Sequence, residues 1–465
     1  MKKLLLSTAI LACLSTAAIA QESKDGAQYN QYGVKVDIDP LVSEAQDGIL
    51  VHRSTNPDSG YKLWFDCRVQ ADGAVFFGEP DYADPIGNGV SIRRARFAVK
   101  TQIDKNWYGE VDMDMANGVF ELKDAIIRYT GLKNFEIQAG NFKEYFSIQR
   151  NNSSRYLQFM ERPMITQALA PSRHIGANVK YANKWLWAST GAFFQTVDNL
   201  ETRTYVEDAN KDFGRDEGIS STSKIVLMPG WDKTNWGMHL GAAFSYRQPK
   251  NDDEIASTSG ADAVRFSTRN SNSINRKKYI DTDEIKDVKH NLLYTAEFAG
   301  YLRGLRWESA YMATDVKRID NPQNIHLWGW YAQAGYLLFG GQQRYDASGA
   351  KFTRAKRGKS WGDVELCARY EFLDFNNKFV SNDLIFGASQ AYALGLNYYV
   401  NDHFKVCVNW QYNDNDRYAN GKGNKFYVGT DVEGKPTKDF TKVAQADGKG
   451  GVDYQMVSVR FEIDF

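Results

Sequence analysis

The sequence predicts an all-β fold, a transmembrane antiparallel β-barrel of about 16 strands, and three observations carry that expectation. Apolar and polar residues alternate with period two along most of the chain. Short polar connections alternate with long ones, and the last strand runs to the final residue and closes on an aromatic side chain.

The alternation is clearest in Tyr61-Lys62-Leu63-Trp64-Phe65-Asp66-Cys67-Arg68-Val69-Gln70. Its odd positions are apolar and its even ones, apart from Trp64, polar. Period two over this length means a strand with one oily and one wet face. Asp112 and Asp114 alternate with Val111, Met113 and Met115 in the same way. So do Lys405, Asn409 and Gln411 with Phe404, Val406, Val408, Trp410 and Tyr412. Seventeen such segments can be marked, one of them at 262–270, or eighteen if 48–54 is included. A ring with both chain ends on one rim needs an even number, so 16 to 18 strands are expected, enough to enclose an aqueous lumen.

Residues 103–107, 130–134 and 400–403 look like tight turns, whereas 142–173, 196–218, 271–288, 341–360 and 413–450 are long and polar. Outer-membrane barrels place short turns on one rim and long loops on the other. In the last strand Val457, Val459, Phe461, Ile463 and Phe465 share one face and Ser458, Arg460, Glu462 and Asp464 the other. Phe461, Ile463 and Phe465 then form the C-terminal signal that barrel-assembly machinery recognises. A soluble β-sandwich also alternates, but its strands are typically about 5–6 residues long.

The N-terminus sets the expected compartment. Lys2 and Lys3, the apolar stretch Leu4 to Leu14 and Ala18-Ile19-Ala20 have the order of a cleavable signal peptide. That stretch is shorter than the about 20 residues a membrane-spanning helix needs. A lipoprotein site at Cys13 is the alternative, but Leu11 is bulky for it. The expected organisation is a signal peptide at 1–20, a polar extension at 21–47 and the barrel at 48–465. Mean hydropathy is −0.52, yet aromatics make up 14% of the chain, with 26 Tyr and 26 Phe. Barrels hide their apolar surface in alternate residues, so window hydropathy misses them.

The chain holds 57 basic and 57 acidic residues, and loss of residues 1–20 leaves a net charge of −2. Such a balance gives no global field to attract nucleic acid. Cys67, Cys367 and Cys407 remain after processing, an odd number that makes no disulfide framework. Neither a metal nor a cofactor is implied.

A series of segments in order resembles the phosphate-selective porin O and P family. Ile92-Arg93-Arg94-Ala95-Arg96 resembles the family's basic second strand. Gly140-Asn141-Phe142-Lys143-Glu144, Ser153-Ser154-Arg155-Tyr156 and Phe159-Met160-Glu161-Arg162 are similar to its constriction loop, and Ala170-Pro171-Ser172-Arg173-His174-Ile175-Gly176 to the return strand. Gly329-Trp330-Tyr331-Ala332-Gln333-Ala334, Glu365-Leu366-Cys367-Ala368-Arg369-Tyr370-Glu371 and Leu394-Gly395-Leu396-Asn397-Tyr398-Tyr399 follow, so that the likeness covers roughly residues 48 to 465. It implies a trimeric outer-membrane porin of 16 strands whose third long loop folds inward. It also implies basic residues along the lumen and a lysine-containing constriction that draws in small anions such as phosphate.

Arg94 and Arg96 share a face with Lys100, so they are candidates for an anion ladder, or for a wall neutralised by Glu110, Asp112 and Asp114 on the next strand. Arg93 points outward unless a bulge re-aims it. Lys143, Arg155 and Arg162 are the candidate constriction residues, with pairing to Glu144 and Glu161 as the structural alternative. Arg265 and Arg269, with Arg276, Lys277 and Lys278, lie where the family carries denser arginines, and the thinner spacing here keeps a general or weakly selective pore open. Trp107, Tyr108, Trp185, Trp187, Tyr398 and Tyr399 fit interfacial girdles.

Two other classes compete. An enzymatic barrel has little support, since the six His are scattered at 52, 174, 239, 290, 326 and 403 and no HExxH, GxSxG or CxxC motif occurs. A plugged adhesin or scaffold barrel would carry no ion current.

Overall fold

The computed structural model describes residues 28–465 except 30–31, 33–34, 37–39, 47–48, 117, 195, 198–214, 217, 231–232, 250, 253–261, 320–322, 378–384, 416–418 and 445–449. The expected signal peptide at 1–20, with Cys13, lies outside the described residues.

Sixteen antiparallel strands close a barrel, each paired with its sequence neighbour and the last with the first. They are β1 (Lys62–Phe77), β2 (Gly89–Gln102), β3 (Trp107–Asp114), β4 (Glu121–Tyr129), β5 (Phe135–Lys143), β6 (Arg173–Ala182), β7 (Leu186–Phe193) and β8 (Ser220–Leu227). Then come β9 (Trp236–Arg247), β10 (Val288–Leu302), β11 (Leu305–Arg318), β12 (Ile325–Leu337), β13 (Asp363–Asn376), β14 (Ile385–Tyr399), β15 (Phe404–Asp414) and β16 (Tyr454–Asp464). Closure runs from Asp464 opposite Arg68 to Gln455 opposite Phe77, and Phe465 and Cys67 exchange backbone hydrogen bonds of 2.7 and 3.1 Å. The terminal alternation holds, with Phe461, Ile463 and Phe465 exposed on the outer face and Arg460, Glu462 and Asp464 buried inside.

Three expectations are corrected. Segment 262–270 is not part of the wall: only Ser267–Thr268 is extended, pairing with Ile280–Asp281 inside the loop between β9 and β10. Phe266 there is buried in an interior apolar cluster with Tyr279, Leu293 and Tyr454, so its alternation reflects packing within the lumen. The strand at Ile49–Ser54 also stands outside the ring. It forms a hairpin with Leu41–Gln46, which lies in the expected extension, and continues the edge of β1 through Val51 opposite Trp64. Finally, the long segment 338–362 between β12 and β13 belongs to the short-turn rim, which otherwise carries connections such as 103–106, 183–185 and 400–403.

The aromatic expectation divides. Trp107, Trp185 and Tyr398 sit on the outside near the short-turn rim; Trp107 packs on Tyr129, and the nearby Phe135 on Tyr181. Tyr108, Trp187 and Tyr399 instead point inward. Tyr108 donates to Glu110, Tyr399 to Glu365, and the fully buried Trp187 donates its Nε1–H to the Ser348 carbonyl at 3.0 Å. Period two decides this, because neighbours in a strand face opposite sides. Cys67, Cys367 and Cys407 are free thiols.

Two segments fold into the barrel and fill one side of it. Residues 144–172, the third connection on the long-loop rim, carry helices α1 (Ile148–Asn151) and α2 (Met164–Leu169). Ser147 caps α1 by accepting from the Arg150 N–H, and Pro163 opens α2, where a missing N–H costs nothing. Wall side chains from β10 to β16 staple this loop by its backbone. Glu297 accepts from Ile148 N at 2.6 Å, Arg306 donates to Tyr156 O at 2.9 Å, Asn397 donates to Gln158 O at 2.8 Å and Asn409 accepts from Met160 N at 3.1 Å. At its root Glu144 binds Arg247 and His174; burial opposes its ionisation, but these partners outweigh burial and hold its pKa at about 2. Segment 338–362 packs beneath, with Phe352 N donating to the Asn152 side chain at 2.9 Å.

Candidate functional site: a cationic lane along the lumen wall

With β9–β16 covered by the inner loop, three cavities that share lining residues follow one another through the lumen, two of them against β1–β6. The first, of about 470 Å³, lies towards the long loops and is lined by Arg93, Arg94, Arg96, Arg150, Arg162, Arg173, Arg269, Arg276 and Lys123, against Asp114, Glu121 and Glu161. It shares Arg96 and Arg173 with a narrow section of about 130 Å³, which adds Arg68, Lys100, Lys143, Arg155 and Lys351. That section shares Asp66 and Arg155 with a third cavity of about 670 Å³ at the short-turn rim, where Arg344, Arg354, Lys356, Arg357 and Lys359 gather. Basic side chains outnumber acidic ones in all three.

Local structure explains the placement. The pairing of β1 and β2 shifts register between Gln70 opposite Arg94 and Ala71 opposite Ile92, so Arg93 sits in a bulge. A bulge re-aims a side chain, and Arg93 turns inward to bind Glu161 at 2.7 and 3.2 Å. Gly140 has φ +125°, and a Cβ there would lie 1.9 Å from the Ala125 carbonyl oxygen. Only glycine allows that approach of β5 to β4, three residues before Lys143. Arg173 opens β6 directly opposite Lys143.

The expected ladder is partly neutralised. Arg96 meets Asp114 at 3.0 Å and Asp112 at 3.5 Å, and Lys100 meets Asp66 at 2.7 Å and Glu110 at 3.6 Å. Arg94 donates to the uncharged Gln70 side chain at 2.6 Å. Glu110, Asp112 and Asp124 bring carboxylate oxygens within 4.8 Å of one another, but Lys100, Arg96 and Arg173 face them, and Arg173 binds Asp124 with both prongs. Their charge is met from within the protein.

The three constriction candidates behave differently from one another. Arg155 binds Asp66 and Asp464 rather than a loop carboxylate. Arg162 spends its donors on the carbonyls of Gln149 and Asn152 at 2.6 and 3.0 Å and has no ion pair among the described residues. Lys143 has no ion pair among the described residues and lines the narrow section. Arg269 lines the upper cavity, whereas Arg265 is bound by Asp281 at 2.8 Å outside the three cavities.

Sequence reasoning missed Arg68, Arg150, Arg173 and Lys351. Arg68 was visible on the wet face of β1, and Arg173 in the return motif. Arg150 and Lys351 reach the lane only because their segments fold inward, which no local pattern signals.

A closed barrel with an inward loop and an off-centre, cation-lined lumen defines a porin-type channel. A family profile described as "Phosphate-selective porin O and P" matches residues 65–432. The chain belongs to this family and is an outer-membrane porin. It is 23% identical over 411 residues to Porin O of Pseudomonas aeruginosa, covering 84% of this chain and 91% of that protein. Similar solved structures include OmpT of Vibrio cholerae in a trimer form (11% identical, 87% of this chain, 99% of that chain, TM-score 0.48). An anion-selective porin from Comamonas acidovorans is another (11% identical, 87% of this chain, 100% of that chain, TM-score 0.48).

Proposed function

We propose that the protein conducts small anions downhill across the outer membrane, phosphate foremost. The observation that carries this reading is the run of cation-lined cavities with Lys143, which has no ion-pair partner among the described residues, lining the smallest of the three. Fixed charges beside low-dielectric walls act more strongly than in water, so an uneven wall selects by sign. Arginine adds a planar donor fork suited to phosphate oxygens. A section of about 130 Å³ lies well under the ~300–1,000 Å³ of pockets that take drug-sized ligands, which favours small solutes. Several loose sites in series suit conduction better than one deep one.

Residues 1–20 act in this reading as a cleaved export signal, Phe461, Ile463 and Phe465 as the assembly signal, and the barrel as one member of a homotrimer in outer-membrane lipid. The channel has no covalent chemistry to perform. A general, weakly selective pore is the second reading, favoured by the neutralisation of Arg96 and Lys100. Phosphate block of chloride current in planar bilayers separates the two. Lys143→Ala is expected to raise the phosphate concentration for half-block about tenfold, the worth of one charge-assisted hydrogen bond. Unchanged block would remove Lys143 from the site, and no block in the wild type would favour the general pore.

A further inference from the structure

We propose that Glu161 is a built-in competitor of the permeating anion, its carboxylate occupying an arginine cradle that phosphate would otherwise hold too tightly to leave. This deepens the anion-channel reading and rests on it.

Glu161 comes from the inner loop, and its side chain lines the upper cavity. Arg93 grips both oxygens at 2.7 and 3.2 Å, Arg460 approaches at 3.0 Å and Arg94 at 3.8 Å. This is the fork geometry by which arginines bind phosphate oxygens. Burial opposes ionisation of Glu161, but Arg93, Arg94 and Arg460 outweigh it and hold the group well below the ordinary carboxylate range. Three guanidinium groups around it favour its charged form.

A pin for the loop is the plainer role, but the main chain there is already pinned. Arg369 donates to the Glu161 carbonyl at 2.9 Å, Asn409 accepts from Met160 N at 3.1 Å, and Ser271 donates to the Arg162 carbonyl at 2.9 Å. What the carboxylate adds is negative charge at the point where arginines converge. Without it the cradle keeps Asp72, bound to Arg460, as its one directly paired carboxylate among the described residues. Beside it Arg150, Arg162, Arg269 and Arg276 have no carboxylate partner among the described residues, and an anion can step along them. Conduction fails when one site binds too well, so cancelling the densest cluster keeps the lane passable.

The test is phosphate block of single-channel chloride current in the full-length porin. Glu161→Gln is expected to lower the half-blocking phosphate concentration about tenfold, from the loss of one nearby opposing charge. Glu161→Asp is expected to restore wild-type block. Higher conductance with weaker block in Glu161→Gln would mean a loosened loop and overturn the proposal, as would Asp behaving like Gln. If Glu161→Gln does not assemble, Arg93→Gln is compared with Arg93→Gln/Glu161→Gln. Block is expected to tighten from the first to the second, and equal or weaker block overturns the proposal. A wild type without phosphate block would instead count against the underlying reading.

Discussion

Cutting the inward segment on the short-turn rim back to a tight turn is expected to raise single-channel conductance several-fold while the barrel still assembles. Gln342 and Lys356 already pair across its neck, exchanging two backbone hydrogen bonds of 2.8 Å. Replacing residues 343–355 by Asn-Gly therefore closes a hairpin in the turn such strands favour. The excised part fills the lumen from below. Phe352 is fully buried under the Arg306 guanidinium at 3.9 Å, Tyr345 hydrogen-bonds His239 at 2.6 Å, and Gln343 donates to Glu365 at 2.9 Å. Its removal opens a second path under the inner loop and withdraws Lys351 from the narrow section, so anion preference is expected to fall as conductance rises. Unchanged conductance would mean that this segment lies aside from the path.

Arg460→Met is expected to be the most destabilising single change on the wall, at about 3–5 kcal/mol, because it strands buried charge. Arg460 is almost wholly buried and binds Asp72 through two contacts of 2.6 and 2.7 Å as well as Glu161 at 3.0 Å. Asp72 also accepts from Ser273 at 2.7 Å, which ties in the loop between β9 and β10. Methionine fills similar volume but leaves both carboxylates short of a partner. The measurement is the temperature at which the folded form, resolved from the unfolded one on gels of unheated samples, converts to it. A conversion temperature within a degree or two of wild type would show that water reaches the network and replaces the guanidinium.

Much of the wall was legible because every strand residue reports its face independently, so ten residues give ten readings of one period. Segment 262–270 failed for a physical reason: a short alternating stretch packs equally well against other loops inside the lumen, as Phe266 does. Residues 341–360 were grouped with the long loops by length and polarity alone, whereas their place between β12 and β13 sets the rim on which they lie. The candidate site was legible only as charges on the wet face of known strands, such as Arg68, Arg94 and Arg96. Partners set across the lumen were not legible. Arg155 meets Asp66 and Lys405 donates to the Arg155 carbonyl across separations of 89 and 250 residues, and nothing local encodes the inward course of a loop. The bulge at Arg93 depends on a register shift between two strands, which one strand's pattern does not contain.

The reversal potential of the wild-type channel in a potassium chloride gradient tests the cationic lane most directly. A lumen in which basic side chains outnumber acidic ones in every section is expected to give a potential close to that of chloride, shifting further from neutrality as salt is lowered and screening weakens. A potential near zero, or one on the potassium side, would contradict it.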